Sequence, residues 1–168
     1  MNGPYFTTFL INSPAIDAAN AADTSLPERY SIKRDSNSLY KFNEVGVTKV
    51  PMNRAWAQLN AEQKKVVKAS YEAMAEDDEP PYPIAGTEEL LRAAAAAQKR
   101  FLASGRLYVV VDVDAAGVAN TASVIEAPSP EMGKFIAEAM LLQKYKPALC
   151  KGQPCKMQYP LAMDFQVK

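Results

Sequence analysis

The stretch "RLYVVVDVDAAGVANTASVIEA" constrains this chain more than any other. Residues 107–113 are dense in β-branched side chains, residues 114–117 ("DAAG") have the composition of a tight turn, and residues 118–125 resume the β pattern. The segment is therefore expected to be a β-hairpin. A lone hairpin is marginal in water and has to bury one face against other elements. Helical patterns stand on both sides of it. Upstream, Thr87 is a good N-cap, Glu88 and Glu89 fall in a first turn, and Leu90, Leu91, Ala94, Phe101 and Leu102 share a face, with Gly105 as the stop. Downstream, Ser129 and Pro130 open a second helix carrying Met132, Phe135, Ile136, Ala139 and Met140 on one face, and Pro147 closes it.

The end of the chain, "KMQYPLAMDFQV", alternates with period two. Met157, Tyr159, Leu161, Met163, Phe165 and Val167 fall on one side of a long strand. Pro160 lacks an N–H and is expected at an edge or a bulge. From residue 87 the order is helix, strand, strand, helix, strand. It predicts an α+β fold: a two-layer sandwich in which helices cover a three-stranded antiparallel sheet (β-β-α-β), with at least one sheet edge open. Residues 80–168 are expected to form this domain.

Residues 1–79 are expected to be a mixed, partly irregular and partly helical extension. Ser13 and Pro14 are placed to start a short helix, and residues 30–50 are expected to give one or two short strands broken near Gly46. A clearer helix is predicted over residues 60–76, capped by Asn60, with Leu59, Val66, Val67, Tyr71 and Met74 recurring along it. Trp56 is expected to pack this helix against the sheet. The acidic run before Pro80 and Pro81 reads as a solvated linker rather than a cation site.

Composition narrows function. The chain has no histidine, which excludes histidine-based triads, histidine metal ligands and histidine pH switching. The net charge is zero and no basic block exists, so no nucleic-acid partner is expected. No apolar run reaches membrane-spanning length, and the first residues lack the basic and apolar regions of a signal peptide. The carboxylates best placed for chemistry are Asp112, Asp114 and Glu126, of which Asp114 is explained by the turn and Asp112 by the solvent face of a strand. With no nucleophile elbow and no phosphate-binding loop, no enzymatic activity, catalytic residue, cofactor or metal is expected.

Cys150 and Cys155 are separated by "KGQP". Zinc needs four ligands, and thioredoxin chemistry needs C-x-x-C at a helix start. A disulfide fits the spacing, with two buried free thiols as the alternative. By chain entropy, so short a loop contributes about 2 kcal/mol. A disulfide implies an oxidising compartment.

Three stretches carry a resemblance. "PPYP" at residues 80–83, "GRLYVVVDVDAAGVA" and "LLQKYKPALCKGQPCKMQYPLAMDF" resemble, in order and spacing, motifs of the C-terminal domain of the TonB energy-transducer family. The resemblance covers roughly residues 80–168. It implies a bacterial periplasmic protein-binding module that receives an extended segment of another envelope protein, such as an outer-membrane receptor, by strand addition at an open edge. Tyr82 (expected to be partly exposed) and Pro83 would shape the docking region. Gln158, Tyr159, Leu161, Met163 and Phe165 would lie on the receiving strand. An open edge also permits a homodimer. The family's membrane anchor and Pro-rich linker do not occur in this sequence, so any signal or anchor is expected outside it. A second expectation is an immunity-type inhibitor that blocks a periplasmic toxin or hydrolase.

Overall fold

The computed structural model describes residues 7–10, 40–42 and 50–165. The expected helix at Ser13 and Pro14, the break near Gly46 and the continuation to Val167 lie outside the described residues. The rest is a mixed α+β structure with three α-helices. The hairpin strands are β4 (Gly105–Val113) and β5 (Ala119–Glu126), and the final strand is β9 (Met157–Phe165). β4 pairs antiparallel with both, so the expected three-stranded antiparallel sheet is present with β4 at its centre. The turn forms as its composition demands. Asp114 Oδ1 accepts the N–H groups of Ala116 and Val118, both at 2.9 Å, and Gly117 supplies the positive φ.

The sheet is wider than expected. Its order is β1-β5-β4-β9-β2, with β1 (Thr7–Leu10) antiparallel to β5 and β2 (Tyr40–Phe42) parallel to residues 163–165 of β9. Both edges of the central three strands thus carry a short strand from before residue 50. The alternation along β9 and β4 had no means of announcing these partners, because pairing across more than 100 residues leaves no local trace.

One face of the sheet builds the main core. Leu107, Val109, Val111 and Val113 of β4 join Ala122 and Val124 of β5 and Tyr159, Leu161, Met163 and Phe165 of β9. Helix α2 (Glu88–Phe101) adds Leu90, Leu91, Ala94 and Ala97, and helix α3 (Pro130–Leu142) adds Met132, Ile136, Ala137 and Met140. The two helices pack on each other, and α3 lies against β5 and β4. Burying four aliphatic side chains of β4 alone is worth roughly 6–12 kcal/mol. The α3 start is as expected: Ser129 Oγ accepts the Met132 N–H at 3.2 Å, with Pro130 in the first turn.

Three local expectations are corrected. Helix α1 (Ala61–Lys68) is capped by Asn60 as predicted but stops eight residues early. Tyr71 is drawn into a separate cluster with Ala148, Cys155 and Met157, and its hydroxyl donates to the Gln158 carbonyl at 2.6 Å, so tertiary burial ends the helix. Thr87 caps α2 without a side-chain hydrogen bond. Helix α2 ends in a left-handed Leu102, 70% exposed, not at Gly105, which opens β4.

Candidate functional site

The two motifs that bracket the fold, "PPYP" and "YKP", meet in space. β3 (Tyr82–Pro83) pairs antiparallel with β6 (Tyr145–Lys146), placing Tyr82 opposite Lys146 and Pro83 opposite Tyr145. Around this pair four aromatic rings form a chain. Trp56 lies 5.8 Å from Tyr82, Tyr82 stands edge-on to Tyr159 at 6.1 Å, and Tyr159 reaches Tyr145 at 5.5 Å. These are the offset and edge-to-face separations that aromatic quadrupoles favour. Tyr145 also donates its hydroxyl to the Met140 carbonyl at 2.7 Å, tying the cluster to the end of α3.

Tyr82 is only 1% exposed, which corrects the expectation of partial exposure. Two prolines ahead of it hold the backbone extended, and that extended backbone pairs with β6, turning the ring inward. Pro83, Tyr159, Leu161, Met163 and Phe165 are likewise buried, and Gln158 is half-buried. The structure therefore brings Tyr82, Pro83 and Tyr159 into one cluster. Leu161, Met163 and Phe165 run along the core face of the same strand, and what they offer a partner is backbone.

The outer edge of β9 is the backbone feature in question. Pro160 stands opposite Val110. Having no N–H, it fits a non-hydrogen-bonded pair, with its backbone polar atoms turned to the outer edge. Residues two apart share that direction, so Gln158, Ala162 and Asp164 face the same edge. At one end the Gln158 carbonyl takes the Tyr71 hydroxyl, and at the other β2 pairs along residues 163–165. Capping, a proline and a short added strand are recognised ways of blunting a sheet edge.

A second group surrounds the cysteines, which are joined in a disulfide with Cα atoms 5.9 Å apart, as expected. β7 (Ala148–Cys150) and β8 (Gln153–Cys155) form a small hairpin whose central residues, Lys151 and Gly152, both have positive φ. The acidic run is not solvated throughout. Asp78 is 1% exposed, and its Oδ1 accepts the Lys151 N–H at 2.8 Å. Glu79 exchanges two 2.9 Å backbone bonds with Leu149, and its carboxylate accepts the Trp56 Nε1 proton at 2.7 Å. Lys64 and Lys146 sit over the Trp56 ring at 5.6 and 5.7 Å. Burial holds the Lys146 ammonium below the usual lysine range; Glu79 pulls it back and Lys64 adds to the lowering. The sequence signal for this group existed in part: an acidic pair, Asp78 and Glu79, three to four residues ahead of the proline-flanked Tyr82. Nothing in it pointed to the cysteine loop 73 residues away.

Other carboxylates are accounted for structurally. Thr121 donates to Asp112, and Asp114 serves its turn. Glu126 is exposed at the end of β5. Among the described residues no group of three or more Cys, Asp or Glu side chains is arranged to hold a metal ion.

Two phenols set an alkaline limit. Burial pushes the Tyr71 and Tyr145 hydroxyls up from the ordinary tyrosine range, with Tyr108 adding to the effect on Tyr71. An unfolded tyrosine loses its proton near pH 10 while the native one keeps it, so stability falls as pH rises above that value. Each should cost about 0.8 kcal/mol by pH 10.5. Half-buried Lys146 works in the opposite sense and by less, since exposure to solvent screens it. Urea midpoints at pH 9 and 10.5 check this, and Tyr71→Phe should remove one share of the loss.

No family model, curated protein or solved structure matches this chain.

Proposed function

We propose that this chain is a non-enzymatic protein-binding module of TonB C-terminal-like, two-layer architecture, and that it receives an extended segment of another envelope protein along the outer edge of β9. The observation that carries this reading is β2. A three-residue strand from a distant part of the chain already adds to that edge in parallel, so the edge accepts extended segments. The disulfide agrees with an oxidising compartment such as the bacterial periplasm. Because the β9 side chains are largely buried, affinity would come from main-chain bonds. Selectivity would come from the outward residues Gln158, Pro160 and Asp164. The test is Gln158→Pro. It removes one outward N–H beyond the stretch that β2 covers and, by the alternation of β9, leaves the ladder to β4 intact, so it should weaken partner capture about tenfold.

A second reading, an inhibitor of a periplasmic toxin or hydrolase, is favoured by a different surface. Ile84 donates its N–H to the Lys144 carbonyl at 3.0 Å, and Val118 bridges Lys144 from the other side. Ile84 and Val118 are exposed there, with Leu142 nearby at 81% exposure, which makes a small apolar face around one lysine. Partner capture that survives Gln158→Pro but is lost with Leu142→Asp would favour this reading.

A further inference from the structure

We propose that the Cys150–Cys155 disulfide is a redox latch: its reduction by a dithiol loosens the strap formed by residues 78–83 and opens the aromatic cluster beneath it. The contacts run in an unbroken series. The disulfide closes the β7–β8 hairpin and so holds Lys151 at a φ of 50°, a conformation that L-residues rarely adopt. In that conformation the Lys151 N–H meets the buried Asp78 carboxylate. Glu79 is bonded to Leu149, the residue before Cys150, and its carboxylate holds the Trp56 indole. Three residues further on, the Tyr82 ring packs tilted against Trp56 and edge-on to Tyr159. A buried carboxylate depends heavily on its hydrogen-bond donors, so a change at the turn is felt at the strap.

The bond is reachable. Cys150 is half-buried and residues 151–154 are exposed, whereas Cys155 is buried. A thiolate of the dithiol attacks Cys150 Sγ, the Cys150–Cys155 bond breaks, and Cys155 leaves as a thiolate that takes a proton. The second thiol of the reductant then attacks the mixed disulfide, which oxidises the reductant to its own disulfide and frees Cys150 as a thiol. Two electrons and two protons pass to the protein.

Trp56, the sole tryptophan, reports the outcome. Dithiothreitol under native conditions should red-shift its emission and raise its quenching by acrylamide about twofold, reversibly on reoxidation, with far-UV circular dichroism preserved. The double variant Cys150→Ala, Cys155→Ala should show the shifted spectrum with no response to reductant. Asp78→Ala should shift the spectrum of the oxidised protein. Unchanged emission in a sample whose thiol titration gives two free thiols would overturn the latch. So would a shift that appears only with loss of the circular dichroism signal, because the bond would then stabilise the whole fold and not the strap.

Discussion

Replacing Tyr159 with alanine should cost about 4 kcal/mol of folding stability, the size of loss seen when a fully buried aromatic is truncated. Tyr159 touches two of the other three rings in the cluster, and its strand is the only described element that pairs with both β4 and β2. Its loss would leave a cavity between Tyr82 and Tyr145. Those residues are themselves held by backbone pairing and cannot close in to fill it. For a chain of this size the melting temperature should fall by roughly 8–16 °C. Tyr159→Phe, which keeps the ring contacts, should cost only about 1 kcal/mol. Thermal melts of the two variants check the pair. Similar losses for both would mean that the hydroxyl, and not the aromatic packing, holds this end of the sheet.

Gly117→Ala should be nearly as damaging, at about 3 kcal/mol, for two separate reasons. Gly117 has a φ of +86°, which costs an L-residue roughly 1–2 kcal/mol. A methyl group there would also land on the Tyr145 carbonyl oxygen, where the Gly117 carbonyl accepts the Tyr145 N–H. The strain and the clash add, because relieving the clash means pulling the β4–β5 turn away from β6. Gly152→Ala is the matched control. It too has positive φ, but no atom lies near its would-be Cβ, so it should carry the conformational cost alone. Urea unfolding of the two variants separates the terms.

The parts of the fold that were legible in the sequence are those whose signal is local. The Asp114–Gly117 turn, the Asn60 and Ser129 caps, the α3 face and the alternation of β9 each depend on residues a few positions apart, and all appear as read. The disulfide also followed from short spacing. What was not legible depends on distant contact. Helix α1 had the pattern to continue, but Tyr71 is claimed by Gln158, 87 residues away. The acidic run looked like linker, but Asp78 is claimed by the cysteine turn. Tyr82 looked exposed after two prolines, yet the same stiffness presents its backbone to β6 and buries the ring. The candidate site was therefore half visible: its residues could be named from sequence and a short strand was expected within residues 30–50, where β2 lies, but the inward orientation of those residues and the pairing of β2 with β9 could not.

The most direct test of the proposed function measures partner affinity for the wild type and for Gln158→Pro, each shown by circular dichroism and melting to keep the fold. The predicted result is about a tenfold weaker complex for the variant, from one lost main-chain hydrogen bond at the β9 edge. Equal affinity for the two proteins would contradict strand addition at β9 and move the binding surface elsewhere on the molecule.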